Sequence, residues 1–168
     1  MVIVALGSNL LSHAGPPVQT VIAALNSFQS NAITPQRVSS LYHAPAWPNA
    51  SDPSYINAVA LVTTRLTPIQ LLSVLHDIER SFGRERSTPN APRTLDLDIV
   101  DQNGKIQPGP PELPHPRLSS RAFVLMPLAE VAPDWMHPVS GESVKSLIAT
   151  LPQSDRDAVY PVQPPPLF

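Results

Sequence analysis

Segments that predict β-strands, either by a two-residue alternation or as a short continuous apolar run, and segments with the period of an α-helix follow one another along this chain in an order that few folds can accommodate. They are a strand over Val2–Leu6, a helix from Pro16 to Phe28, a weaker strand over Gln36–His43, a strand over Tyr55–Arg65, a helix from Thr67 to Gly83 and a strand over Leu95–Val100. This order of strand, helix, strand, strand, helix, strand is that of the split βαβ unit. It predicts an α+β fold with a ferredoxin-like antiparallel sheet backed by helices.

Smaller elements are expected in the C-terminal third. The tight-turn sequence Gln102–Lys105 predicts an extra hairpin. A short helix is expected to begin at Ser119 or Ser120 and to stop or kink at Pro127, because proline lacks the N–H that a helix interior requires. A last short helix is expected over Ser143–Leu151.

Length and proline content define the domain organisation. A chain of 168 residues is expected to form one domain. Its 22 prolines indicate long rigid loops, because 42% of the residues are still hydrophobic. We therefore expect a single domain over residues 1–151 and a proline-rich tail over 152–168. From Tyr160 onward the tail is expected to adopt polyproline II on the surface or to be disordered.

Charge and cysteine content exclude several classes of partner. The formal net charge of −2 and the pI near 6.2 predict no overall attraction to nucleic acid or to an anionic membrane. The chain has no cysteine, no signal-peptide pattern and no apolar run long enough for a membrane span, so the cytoplasm is the expected location. Six of the eleven lysines and arginines nevertheless lie between Arg84 and Arg121, which indicates a local anion pocket.

The sequence Leu95-Asp-Leu-Asp-Ile-Val100 contains the strongest candidate for a metal site. Its alternation puts Asp96 and Asp98 on one face of a strand, roughly 6–7 Å apart. Two carboxylates this close favour a cation between them, and magnesium takes one or two protein carboxylates while leaving room for water and phosphate. Arg93 has a planar fork of donors that suits phosphate. The alternative is an edge strand whose acidic residues discourage aggregation.

Five separated motifs, in order, resemble those of the 6-hydroxymethyl-7,8-dihydropterin pyrophosphokinases of folate biosynthesis. They are Ala5–Leu10, Tyr55–Val59, Pro92–Ile99, Pro114-His115, and the set Arg121, Phe123, Pro127-Leu128 and Ala132-Pro133. The resemblance extends from about Val2 to Leu151. It implies that the hydroxymethyl oxygen of the pterin attacks the β-phosphorus of ATP, so that the pterin receives pyrophosphate and AMP leaves.

The same resemblance implies roles for charged residues. Asp96 and Asp98 would hold two magnesium ions, and Arg84 and Arg93 would join them as catalytic residues. The implied ATP-binding set is Glu79, Arg84, Arg86, Arg93, Ile99, His115 and Arg121. Taken alone, an arginine of this set is more often a solvated surface charge, except Arg93, whose position beside the aspartates favours a functional role. His115, taken alone, is more often a loop histidine.

The resemblance also implies a pterin site. Tyr55 and Phe123 would sandwich the ring and Asn57 would bind its polar edge, while Gly7 and Ala44-Pro45-Ala46 would complete the pocket through backbone groups. Without the family, both aromatic residues would be assigned to the core. The implied partners are ATP and the pterin alone, with no nucleic acid or membrane, and the chain is expected to act as a monomer.

Two other classes of function remain open at this point. One is a non-catalytic pterin or nucleotide binder on the same fold, against which the intact aspartates argue. The other is an RNA-binding module on a ferredoxin-like sheet. Nine aromatic residues, no aromatic-rich strand motif and an acidic pI argue against that module.

Overall fold

A computed structural model describes residues 1–85 and 91–166. The elements, in order, are β1 (Val2–Ser8), α1 (Pro17–Ser27), β2 (Thr34–Val38), β3 (Leu41–Ala44), β4 (Tyr55–Thr63), α2 (Pro68–Ser81), β5 (Asp96–Gln102), α3 (Ala122–Val131), α4 (Val144–Thr150), α5 (Gln153–Asp157) and β6 (Tyr160–Gln163). No helix in the described ranges is both long enough and apolar enough to cross a membrane.

One antiparallel sheet connects all the strands. Its order is β5-β1-β4-β3-β6, and β2 also pairs with β4. β2 and β3 pair with successive parts of β4, so the strand predicted over Gln36–His43 is two strands interrupted at Ser39 and Ser40. The interruption is stabilised because Ser39 Oγ accepts a 3.0 Å hydrogen bond from Val59 N. The ferredoxin-like α+β prediction is confirmed.

Helices cover both faces of the sheet. On one face, α1 and α2 bury Leu25 and Leu75 against Val4 and Leu6 of β1. On the other face, α3 and α4 form a second core with Ile3. Because β1 is buried on both faces, its sequence is a continuous apolar run and does not alternate.

Several short sequence patterns adopt the local structures that they predict. Thr67 and Gln70 make the capping box of α2, and the Thr67 N–H donates to Gln70 Oε1 at 2.9 Å. The turn at Asn103-Gly104 has φ angles of 59° and 67°, a conformation that asparagine and glycine adopt most easily. Ser143 caps α4 by accepting a hydrogen bond from Ser146 N.

Three predictions about the C-terminal third are wrong or incomplete. α3 continues through Pro127 to Val131, because its buried apolar side chains pack on the sheet and outweigh one missing hydrogen bond. The turn at Gln102–Lys105 forms, but among the described residues no strand returns from it to pair with β5, and the next pairing is an isolated antiparallel bridge between Gln107 and Leu113. Residues Tyr160–Gln163 are not polyproline II but form β6, an edge strand, where a proline is tolerated.

Candidate active site

β5 presents Asp96 and Asp98 on one face while Leu97 and Ile99 enter the core between the sheet and α1–α2, as the alternation predicted. Asp96 pairs in register with Gly7 of the central strand β1. Gly7 pairs in turn with Asn57 of β4. An acidic side chain, a glycine and an amide therefore lie in one row across three neighbouring strands.

Basic side chains surround the two carboxylates. Arg84 Nη1 lies 2.6 Å from Asp96 Oδ1, and Arg93 Nη1 lies 3.2 Å from Asp96 Oδ2. Arg121 Nη1 lies 3.2 Å from Asp98 Oδ2, and His115 Nε2 lies 3.7 Å from the same oxygen. Residues from three segments of the chain thus form a site of alternating positive and negative charge, which suits a bound polyphosphate and its cation.

The environment affects the protonation of these groups. Burial lowers the pKa of His115 below its usual value, although the charge of Asp98 opposes this shift. His115 Nδ1 accepts a 3.1 Å hydrogen bond from Arg117 N, and His115 Nε2 lies 3.3 Å from Arg121 Nη1. Burial also acts to lower the pKa of Arg93, but Asp96 and Tyr55 outweigh it and raise that pKa.

Glu79 lies beneath this site, in the core, with an exposed fraction of only 1%. Its Oε1 accepts a 2.8 Å hydrogen bond from Leu97 N and forms an ion pair with Arg84. One buried carboxylate therefore fixes both the start of β5 and the guanidinium that contacts Asp96. A buried charge with such partners is a strong orienting element.

Two aromatic rings lie next to the charged side chains of the site. The guanidinium carbon of Arg93 lies 5.9 Å from the centroid of the Tyr55 ring, and that of Arg121 lies 5.5 Å from the centroid of the Phe123 ring. Both distances allow a cation–π contact. Each arginine therefore connects an aspartate to an aromatic ring.

The amide of Asn57 faces the same space. Its side chain is 5% exposed, and Nδ2 has no hydrogen-bond partner in the described parts of the chain. A buried donor without a partner is unfavourable unless a ligand binds it. A Cβ added to Gly7 would lie 3.0 Å from Asn57 Oδ1, 3.6 Å from Tyr55 Cδ1 and 3.9 Å from Asp96 Cβ. Only glycine therefore leaves the space between these three side chains open.

A cavity of about 650 Å³ joins these groups, a volume in the range of small-molecule sites. The predicted residues that line it are Gly7, Ala44, Pro45, Ala46, Tyr55, Asn57, Arg84, Arg93, Asp96, Asp98, His115, Arg121 and Phe123. Glu79 and Ile99 do not line it: both side chains are buried in the core below. Arg86 lies outside the described residues.

The cavity also has residues that the sequence analysis did not select. Arg117 follows His115 on the same loop, and its basic side chain within the Arg84–Arg121 cluster was an available signal. Asp155, Ala158 and Val159 come from the C-terminal segment. No sequence pattern marks those three, because their position depends on the pairing of β6 with β3.

Comparison with known proteins identifies relatives over nearly the whole chain. A model of the family 7,8-dihydro-6-hydroxymethylpterin-pyrophosphokinase matches residues 3–133. The 2-amino-4-hydroxy-6-hydroxymethyldihydropteridine pyrophosphokinase of Synechocystis sp. is 38% identical over 164 residues, which are 96% of this chain and 80% of the relative. The enzyme of the same name from Pseudomonas aeruginosa is 40% identical over 153 residues, 90% of this chain and 91% of the relative.

The fold is similar to that of solved structures of Plasmodium falciparum HPPK-DHPS. With a triple mutant of that protein, the TM-score is 0.67 at 14% sequence identity. The alignment covers 88% of this chain and 43% of the longer Plasmodium chain. At this identity the similarity is evidence for the fold alone.

Proposed function

This chain belongs to the 7,8-dihydro-6-hydroxymethylpterin-pyrophosphokinase (HPPK) family, and from that premise we propose which of its residues perform the reaction. The protein is an enzyme that transfers a pyrophosphoryl group from ATP to hydroxymethyldihydropterin in folate synthesis. The observation that supports our assignment is that one cavity joins Asp96 and Asp98 to a set of basic side chains, to the rings of Tyr55 and Phe123 and to the buried amide of Asn57.

Asp96 and Asp98 are the proposed ligands of two magnesium ions. Their chemistry fits: carboxylate oxygens are ligands that magnesium prefers, and it keeps other positions for water and phosphate. No group of three or more His, Cys, Asp or Glu suited to a metal occurs in the described part of the chain, so an all-protein cage is not the arrangement here. Bound between these aspartates and the triphosphate, the ions would neutralise charge on the phosphate oxygens and favour the alkoxide of the substrate.

The arginines have a second task when the nucleotide binds. Arg84, Arg93 and Arg121 contact the aspartates, and their fork of donors matches phosphate oxygens equally well. We propose that they turn from carboxylate to phosphate as ATP enters, and that His115 contacts the nucleotide. Held in this way, the phosphate chain has little freedom, and in-line attack requires such positioning.

Glu79 is proposed to act on ATP through Arg84 and not by direct contact, since its carboxylate is buried. Ile99 has an equally buried side chain, so only its backbone could meet the nucleotide. Arg86 remains a proposed phosphate contact.

The pterin site is proposed at the aromatic end of the cavity. Tyr55 and Phe123 would stack on the two faces of the ring, and Asn57 would offer its unpartnered Nδ2 to the polar edge. Gly7 leaves space for the ring, while Ala44, Pro45 and Ala46 close the pocket. Burial, its largest influence, raises the pKa of Tyr55 above its ordinary value.

We propose that one chain is sufficient to bind both substrates. The protein is proposed to act as a monomer, and sedimentation would measure its oligomeric state. We propose a single pyrophosphokinase domain over residues 1–151, to whose sheet Tyr160–Gln163 of the proline-rich segment 152–168 adds β6.

The direct test of the assignment is the nucleotide product. The protein is supplied with ATP, magnesium and 6-hydroxymethyl-7,8-dihydropterin, and nucleotides are separated by chromatography. AMP formed in equal amount to pterin diphosphate is the expected result. ADP as the product would contradict attack at the β-phosphorus, and equal turnover in a magnesium-free chelating buffer would contradict the metal assignment.

A further inference from the structure

The segment from Gln153 to Gln163, which we call the C-terminal segment, lies beyond the residues that match the family model. It comprises α5 and β6. β6 extends the sheet by pairing with β3, with His43 opposite Tyr160 and Tyr42 opposite Pro161. β3 would otherwise be the edge of the sheet on this side, so its conformation depends on the C-terminal segment.

Two contacts attach this segment to β3. The Tyr160 ring stacks on the His43 ring with centroids 4.7 Å apart and planes inclined by 20°. His43 Nδ1 is buried and has no hydrogen-bond partner within the described ranges, so the stack, and not a bond from Nδ1, orients this ring. Val159 is 5% exposed and packs in the same core as Tyr42 and Ala44.

These contacts lie next to the pterin end of the cavity. β3 ends at Ala44, and the chain continues directly into Pro45 and Ala46, which line the cavity. Ala158 and Val159 line the same cavity themselves. The C-terminal segment therefore both supports one wall of the cavity and forms part of it.

We propose that the C-terminal segment is a positioning element for the pterin: Tyr160 holds β3 and residues 44–46 through His43, and Ala158 limits the space open to the ring. The proposal rests on the assignment of this end of the cavity to the pterin. The physical reason is preorganisation. If the cavity wall is already ordered before the pterin binds, binding does not include the entropy cost of ordering that wall. The phosphate end, formed by β5 and the arginines, has no contact with Tyr160 among those described.

The stack is tested by Tyr160→Ala, with Tyr160→Phe as the matched control that keeps the ring. Tyr160 is 48% exposed, so neither change opens the core. We expect the KM for the pterin to rise about 3- to 10-fold in Tyr160→Ala, the effect of losing one aromatic pair. The KM for ATP and kcat should stay within about twofold of the unchanged enzyme, and Tyr160→Phe should behave as the unchanged enzyme.

Two other results would overturn this part of the proposal. One is a lower Tm with both KM values unchanged, which means that the stack only stabilises the fold. The other is an equal rise of both KM values. Failure of the proposed function is separate, because it would appear in the unchanged enzyme as absence of AMP.

The wall is tested by Ala158→Met, with Asp157→Met as the control at an exposed neighbour that does not line the cavity. Calorimetric titration of the enzyme with the pterin should show affinity weaker by about 10-fold for Ala158→Met, because added methylene groups occupy ligand space. Titration with the magnesium complex of a non-hydrolysable ATP analogue should be unchanged for both variants. Equal pterin affinity in the two variants would overturn the assignment of Ala158.

Discussion

Arg84 Nη1 lies 2.6 Å from Oδ1 of Asp96, so a proposed phosphate ligand and a proposed magnesium ligand form an ion pair at the start of β5. The pair holds the Asp96 carboxylate in place beside Asp98, since two neighbouring carboxylates would otherwise repel each other. It also means that the nucleotide and its cations replace an existing interaction. The site is ordered by its own charges before the substrates arrive.

Replacing Asp96 or Asp98 with alanine should abolish most turnover while leaving the fold intact. Loss of several kcal/mol of charge stabilisation corresponds to a decrease in kcat of about 10²- to 10⁴-fold. AMP formation measures the effect, and circular dichroism verifies the fold. Asp52→Ala, in the loop before β4, is the control and should retain normal turnover. Turnover within a few-fold of normal in both site variants would contradict the metal assignment.

Glu79→Ala should lower both the free energy of unfolding of the protein and its rate of turnover. It removes the partner of Leu97 N and leaves the Arg84 guanidinium, only 12% exposed, without its buried counter-charge. Breaking such a pair decreases the free energy of unfolding by about 3 kcal/mol. Urea denaturation measures this, with exposed Glu85→Ala as the matched control. A variant as stable as Glu85→Ala would show that the buried carboxylate does not orient the site.

Gly7→Ala should weaken pterin binding with little effect on stability. The new methyl group would lie 3.0 Å from Asn57 Oδ1, so the amide that we assign to the pterin edge must move by a few tenths of an ångström. We expect the KM for the pterin to rise about 3- to 10-fold. The KM for ATP, measured in the same experiment, is the internal control. A rise in that value alone would place the nucleotide, and not the pterin, beside Gly7.

Alkaline pH should destabilise the protein through Tyr42. Burial, together with the hydrogen bond and the charge of Glu130, raises the pKa of Tyr42 to about 12, above its ordinary value of 10.0. The folded state therefore keeps a proton that the unfolded state releases, and this contribution to stability is present below pH 10 and is lost as pH rises from about 10 to 12. Urea denaturation across this range should show a shallower decline for Tyr42→Phe, with Tyr160→Phe as control. Parallel declines in all three proteins would contradict the assignment.

Features that depend on neighbouring residues were predicted correctly. The alternation through Leu95–Val100 placed Asp96 and Asp98 on one face, because strand geometry allows no other arrangement. The capping box at Thr67 and Gln70 formed for the same kind of reason, since its hydrogen bonds join atoms three residues apart. The residues of the cavity were predicted largely through resemblance to a family, because no local pattern brings Arg121 or Phe123 to β5.

Features that depend on distant contacts were not predicted. The role of Glu79 as an internal counter-ion follows only from the packing of α2 on β5. The helix through Pro127 and the strand β6 contradicted local propensity, because a buried helix face and a free sheet edge stabilise conformations that proline alone disfavours.

The sequence by itself therefore determined the strands β1, β4 and β5, most helix ends and the face on which the two aspartates lie, because backbone sterics and side-chain period act over a few residues. Tertiary structure alone decided which charges meet, how deeply Glu79 is buried and that the C-terminal segment borders the cavity. Those outcomes are set by burial and by pairing between segments far apart in the chain, and no short stretch of sequence contains that information.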